Sequence, residues 1–268
     1  MNTDLPLGKD TPYPDTYDPD QLFAIRRSDA RQKLGLDAKL PFFGVDIWTA
    51  WELTWLDPNG VPHVGVAEIR VPADSPNLVE SKSLKLYLGS FAMTTLDSAT
   101  DAAKRISTDL SSLLDAAITV NVETSPDRST DPLAGECIDD TPAQCTAYEV
   151  DPSSLRANSD RIVTETLHSH LLRSLCPVTN QPDMASVFIQ YTGPQIDRTG
   201  LLQYIVSFRN HNDFHESCVE QMFMELSRRC GCEALSIYAR FLRRGGIDIN
   251  PYRSTEDLAP DNLAIWRQ

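Results

Sequence analysis

The chain has 268 residues, 41% of them hydrophobic, enough for one large domain or two of ordinary size with a substantial core. Its formal net charge is −14 and its pI about 4.7, so its surface repels phosphate backbones and anionic membranes, and an anionic ligand has to be held by a local cluster of Lys, Arg and backbone N–H groups. No stretch approaches the ~18 uninterrupted apolar residues of a membrane-spanning helix, and the segment 1–20, with five aspartates and four prolines, reads as neither a signal nor a transit peptide.

Residues 1–40, rich in Pro, Asp and Arg, read as an ordered arm outside the core. Phe43–Leu56 alternates apolar and polar positions and favours β-branched and aromatic types, which predicts a strand. Asp57-Pro58-Asn59-Gly60 is a turn, and Val64–Val71 returns as the second strand of a hairpin. The period then becomes helical, with a short helix over Leu84–Phe91, a longer one over Leu96–Leu114, and a strand over Ala117–Val122. Residues 125–144, polar with three prolines and four aspartates, read as a linker, and Thr146–Val150 as a short strand. The same order recurs: strands over Ile162–Leu172 and Ala185–Tyr191, helices over Leu201–Phe208 and Phe214–Cys230, and a strand over Ala234–Phe241. This predicts an α+β protein of two like units in tandem, each an antiparallel sheet with helices on one face. The boundaries are an arm over 1–40, units over 41–124 and 161–268, and an excursion over 125–160.

Without export, the six cysteines are expected as free thiols. Cys230-Gly231-Cys232 is a close pair, but with no second pair or nearby histidine it is a weak zinc signal, and no metal is expected. Cys176 sits in a loop stiffened by Pro177 and Pro182, and Asp183 follows seven residues later. Such a loop can present a thiol and a carboxyl to one cavity as nucleophile and proton donor. By spacing alone, a buried structural cysteine and a turn aspartate fit better.

Three further groups carry chemistry. Val79-Glu80-Ser81-Lys82-Ser83-Leu84-Lys85 opens a helix, with Ser81 suited to cap it and Lys82 and Lys85 on one face as a small anion site. A solvated helix start is the plainer reading. Phe214-His215-Glu216 begins the longer helix of the second half, which Asp213 is suited to cap, and His215 there can orient a ligand or relay a proton. Arg243-Arg244-Gly245-Gly246 sets cations beside backbone that can approach a ligand closely, or else forms a turn at the end of a strand. No GxGxxG follows a strand and no P-loop is present, so a nicotinamide cofactor does not bind in the doubly wound manner.

Together, Glu80-Ser81-Lys82-Ser83-Leu84-Lys85-Leu86-Tyr87, Cys176-Pro177-Val178-Thr179-Asn180-Gln181-Pro182-Asp183, Phe214-His215-Glu216 and Arg243-Arg244-Gly245-Gly246 resemble the 7-cyano-7-deazaguanine reductases, the QueF family of NADPH-dependent nitrile reductases. Gly44-Val45-Asp46-Ile47-Trp48 and the block order resemble its long, two-unit form. The resemblance implies two tandem tunnelling-fold units and a cytoplasmic homo-oligomer, with a dimer favoured. It implies a nitrile reductase of queuosine biosynthesis that converts the free base 7-cyano-7-deazaguanine to 7-aminomethyl-7-deazaguanine, using two NADPH and neither nucleic acid nor membrane. It assigns Cys176 as nucleophile through a thioimide and Asp183 as proton donor. Val79, Glu80, Ser81, His215 and Glu216 are assigned to the substrate, and Ser81, Lys82, Arg244 and Gly245 to the cofactor. Two alternatives stay open: a zinc hydrolase of the GTP cyclohydrolase type and a non-catalytic purine-binding module on the same fold.

Overall fold

The computed structural model describes residues 13–37, 39–126, 129–130 and 132–268. The first twelve residues of the expected arm, Ala38, and Asp127, Arg128 and Asp131 of the expected linker lie outside the described residues. The chain forms two compact units, and each takes its residues from more than one stretch of sequence.

The first unit comprises the chain through Lys33, Asp46–Ser129 and Arg243–Ile249. Its elements are β1 (Ala24–Arg26), α1 (Ser28–Lys33), most of β2 (Phe43–Leu56), β3 (Pro62–Pro72), β4 (Asn77–Val79), α2 (Ser81–Gly89), α3 (Ala99–Leu114) and β5 (Thr119–Glu123). The sheet runs β5-β3-β2, with β3 and β5 antiparallel, and β1 pairs antiparallel with β4. The expected turn closes the β2–β3 hairpin: Gly60 N–H donates to Asp57 O at 2.9 Å, and Asp57 Oδ1 accepts from Asn59 N–H and Val61 N–H. Trp48, Leu53, Trp55, Ile69 and Val71 of the sheet pack with Leu84, Tyr87 and Leu88 of α2 and with Ile106, Leu110 and Leu114 of α3. Each such side chain, fully buried, contributes about 1.5–3 kcal/mol.

Two features of this unit depart from the sequence reading. Strand β2 alternates in sequence, yet Val45–Ala50 is buried without a break. The arm, expected outside the core, supplies the reason. Arg27 Nη2 meets Asp46 Oδ2 at 2.6 Å while its Nε donates to Ser75 Oγ, and Arg31 donates to Ala73 O. Buried charge is tolerable here because it is paired and hydrogen-bonded.

The second unit comprises Leu34–Val45, Thr130–Leu242 and Asn250–Gln268. It contains β6 (Glu136–Cys137), β7 (Ala157–Leu175), β8 (Pro182–Ile196), α4 (Arg198–Ser207), α5 (His215–Cys230), β9 (Ala234–Phe241) and most of β10 (Ile247–Ser254). The order is β10-β9-β8-β7-β6, antiparallel except for the short parallel pair of β6 and β7. The β7–β8 hairpin is much longer than its apolar runs suggested, 19 and 15 residues. The expected strand over Thr146–Val150 is absent; this stretch is irregular. Neighbouring backbone is satisfied instead by groups of α4 and the turn after it: Gln203 Nε2 donates to Gln144 O, Asn210 N–H to Tyr148 O, and Asp151 N–H to Ser207 Oγ.

Helix α5 is fixed to this unit by one buried ion pair. Arg253 on β10 donates from Nη2 and Nε to Glu220 Oε1 at 2.8 and 3.1 Å, and the two side chains are 0% and 4% exposed. Phe42 packs edge-on against Phe223 of α5 at 5.4 Å, and the Arg253 guanidinium lies 5.5 Å from the Phe42 ring centre. Removing one partner strands a buried charge. Glu220→Ala is therefore expected to lower the stability of the second unit by about 3–5 kcal/mol, measured by urea unfolding. A loss below about 1 kcal/mol, the ordinary worth of an exposed pair, would show that the pair is not the anchor.

Candidate active site

The cysteine loop is built by the end of the β7–β8 hairpin. Leu175 pairs with Pro182 and Ser174 with Asp183, so the six residues from Cys176 to Gln181 form the connection. Two backbone hydrogen bonds close it, Cys176 N–H to Gln181 O at 2.9 Å and Asn180 N–H to Cys176 O at 3.0 Å. Asn180 turns the chain at φ 60°, a left-handed conformation that Asn adopts more readily than most residues. Leu175 N–H donates to His211 O at 2.8 Å, Asp213 N–H to Leu175 O at 3.2 Å, and Asn212 Nδ2 to Asn180 Oδ1 at 2.6 Å. The strand end that carries Cys176 is thus stitched to the segment that leads into α5.

That stitching brings the start of α5 to the start of β8. His215 Nε2 lies 3.3 Å from Asp183 Oδ2, and the His215 ring stacks on Phe241 of β9 at 3.7 Å and 5°. Cys176, Asp183, His215 and Glu216 are all buried. The carboxylate beside the imidazole lets the pair share and pass a proton, and the phenyl face holds the ring in one plane. Asp213 is not the N-cap of α5 as expected: Phe214 is, and Asp213 Oδ1 accepts the Phe214 N–H.

A second cysteine, Cys218, lies one turn further along α5 and is fully buried. Burial pushes its thiol well above the ordinary range, and the charges of Asp213, Asp183 and Glu216 push the same way. It stays protonated and is a poor nucleophile. Cys230 and Cys232 are held up by burial as well, to about 12 and about 11.

The remaining sequence-predicted residues belong to the first unit. Glu80, not Ser81, is the N-cap of α2: its carboxylate accepts Lys82 N–H at Oε1 and Ser83 N–H at Oε2, both at 2.8 Å. Ser81 is the first helical residue. The arm aligns this segment, because Glu80 N–H donates to Phe23 O and Phe23 N–H to Ser83 Oγ, next to the β1–β4 pair that carries Val79. Sequence reasoning gave the arm no such part, since a three-residue strand leaves almost no periodic signal.

Arg244, Gly245 and Gly246 make the turn between β9 and β10, with Gly245 and Gly246 at φ 56° and 76°. Two successive left-handed residues suit a tight hairpin, closed here by Arg244 N–H to Ile247 O at 2.9 Å. The turn meets α2: a Cβ on Gly245 would stand 3.3 Å from the Lys85 side chain. Gly246 O accepts the Trp51 N–H, and a Cβ there would lie 2.7 Å from the Glu52 carboxylate. Arg243 stacks on Trp51 at 4.2 Å. Lys85, one of the two lysines of the sequence-predicted anion site, thus stands beside the glycine turn that follows Arg244.

A family model described as "Nitrile reductase, 7-cyano-7-deazaguanine-reductase N-term" matches residues 13–122, and one described as "QueF-like protein" matches 182–260. Proteins named NADPH-dependent 7-cyano-7-deazaguanine reductase align over nearly the full chain. The one from Chromobacterium violaceum is 49% identical over 98% of this chain and 96% of its own length. The one from Burkholderia lata is 50% identical over 98% of each. The chain belongs to the QueF family. Its two α+β units are accordingly tunnelling-fold units.

In this QueF-family member the buried carboxylate of Glu80 holds the start of α2. Glu80→Ala is expected to cost about 1 kcal/mol in urea unfolding, the usual worth of an N-cap, and Glu80→Gln less, since the amide keeps one acceptor. Equal stability in all three proteins would remove the capping role.

Proposed function

We propose that the chain is an NADPH-dependent nitrile reductase that converts 7-cyano-7-deazaguanine to 7-aminomethyl-7-deazaguanine in queuosine biosynthesis. The full-length identity of about half to reductases of that name carries this reading. The burial of Cys176 and the contact of Asp183 with His215 support the residue roles. The zinc-hydrolase and purine-binding alternatives have no comparable support. We also propose an arm over 1–40, tandem units over 41–124 and 161–268 joined by 125–160, a homodimer in solution, a cytoplasmic location and no nucleic-acid partner. Among the described residues, no helix is long and apolar enough to cross a membrane.

A nitrile is a poor hydride acceptor but a good electrophile for a thiolate. Asp183 takes the proton of the Cys176 thiol as Sγ adds to the nitrile carbon and delivers it to the nitrogen, so the product is a neutral thioimide. NADPH, when bound, supplies hydride, and two equivalents are needed because nitrile to primary amine takes four electrons. Between the two deliveries the C–S bond breaks and Cys176 leaves as thiolate, its electron pair returning to sulfur. His215, 3.3 Å from Asp183, holds that carboxyl and restores its proton for the second reduction. The family resemblance assigns Glu216 and, from the first unit, Val79, Glu80 and Ser81 to the substrate, and burial of Cys176, Asp183, His215 and Glu216 keeps water from the imine. Ser81, Lys82, Arg244 and Gly245 hold the phosphates of NADPH.

Incubation with the cyano base without NADPH is expected to add one substrate mass to the intact protein, and none to Cys176→Ala. Asp183→Asn is expected to slow reduction by roughly 10²–10⁴-fold, the usual span for a lost acid–base group. An adduct on Cys176→Ala, or full activity in Asp183→Asn, would overturn these assignments.

A further inference from the structure

A second cluster of chemically active side chains lies in the second unit, on the other edge of its sheet. Cys137 is on β6, and His168 and His170 are two residues apart on β7. Cys137 Sγ and one ring nitrogen of each histidine all lie within 4.8 Å of one another. We propose that Cys137, His168 and His170 form a binding site for a divalent zinc-like cation, separate from the residues assigned to catalysis.

The backbone builds this set. Strand β6 runs parallel to β7 with Cys137 in register with His168, and Ile138 N–H donates to His168 O at 3.0 Å. Both rings reach Cys137 although β7 is irregular between Ser169 and Leu172. Gly135 lets the two chains approach: at φ 81°, a Cβ there would lie 2.1 Å from Thr166 O. Any side chain at that position would push Cys137 away from the histidines.

The hydrogen bonds around the rings suit ligation. His168 Nδ1 is 3.1 Å from Ala134 O, and a carbonyl only accepts, so this nitrogen carries the proton and Nε2 keeps its lone pair. His170 Nδ1 is 2.6 Å from Ser186 Oγ. A metal-bound imidazole typically anchors its other nitrogen in this way. Asp139 accepts the His170 N–H at 3.0 Å, which sets a carboxylate beside the cluster. With a Cys137 thiolate, two negative charges then offset the cation.

One soft sulfur and two imidazoles select zinc over magnesium or calcium, which prefer oxygen. Ligand atoms around tetrahedral zinc stand roughly 3.3–3.8 Å apart, given bonds of about 2.0–2.3 Å. No pair of ligand atoms therefore has to close by more than about 1.5 Å on binding. Cys137 is exposed and His170 half-buried, so the fourth position is open to water.

The full chain, purified without a histidine tag and stripped of metal, is to be titrated with zinc against a chromogenic chelator and separately loaded with cobalt(II). One zinc per chain is expected, with a thiolate-to-cobalt absorption band that disappears in Cys137→Ser. Affinity should fall more than roughly 100-fold in Cys137→Ser, His168→Ala and His170→Gln, beyond the 10–100-fold that an outer partner costs. Cys176→Ala should keep its zinc, whatever it does to nitrile reduction. Failure to retain zinc, or retention unchanged by all three ligand variants, overturns the site. Loss confined to Cys176→Ala moves the metal to the loop cysteine and overturns it as well.

Discussion

The Glu220–Arg253 pair sets the position of everything at the head of α5. A helix laid on a sheet by apolar contacts alone can slide or roll by fractions of a turn at small cost, because dispersion has no direction. Two hydrogen bonds from a guanidinium, made where neither partner reaches water, give that contact a direction. Glu220 is one helical turn past Glu216. Fixing it therefore fixes the angle at which Glu216 leaves the helix, and through His215 the approach to Asp183. A pair of this kind is weak evidence for net stability; its contribution here is register.

Cys176 and Asp183 obtain the same rigidity from a hairpin. Asp183 is the second residue of β8, opposite Ser174, so its side chain direction follows from the pleat. Cys176 is the first residue beyond β7, free of the ladder yet held by the Gln181 carbonyl. Cys218 is fully buried, and burial with the charges of Asp213, Asp183 and Glu216 keeps its thiol protonated.

The sequence was most legible where one period dominates. Strand β2 was placed from its alternation with the bounds that the structure has, and the helix ending at Cys230 with one residue too many, since Phe214 is its N-cap. Faces were less legible than elements, since alternation implies one wet face and the Arg27–Asp46 pair buries the other. Strand β10 was missed because Gly245, Gly246 and Pro251 are breaker signals. In fact the glycines make its turn, and Pro251 precedes the first residue registered against β9. The candidate site was legible as motifs but not as geometry. The capping carboxylate of Glu80, the Phe241 plate under His215 and the approach of Lys85 to Gly245 each join residues that no local window contains. Cys137 and His168 are brought together by a two-residue parallel strand, the element with the least signal of all.

The charge distribution now has a physical reading. A chain of net charge −14 attracts no polyanion, so an anionic cofactor reaches it only through a local reversal of sign. Lys82 and Lys85 stand on the first turns of α2, where the helix end itself favours anions. The hairpin turn adds Arg244 and the backbone of Gly245, beside the Lys85 side chain. Arg243 stacks on Trp51, which is why the proposed phosphate role falls to Arg244 rather than to its neighbour. The acidic surround then sharpens selectivity, because an anion bound anywhere else meets repulsion that these few groups overcome in one place.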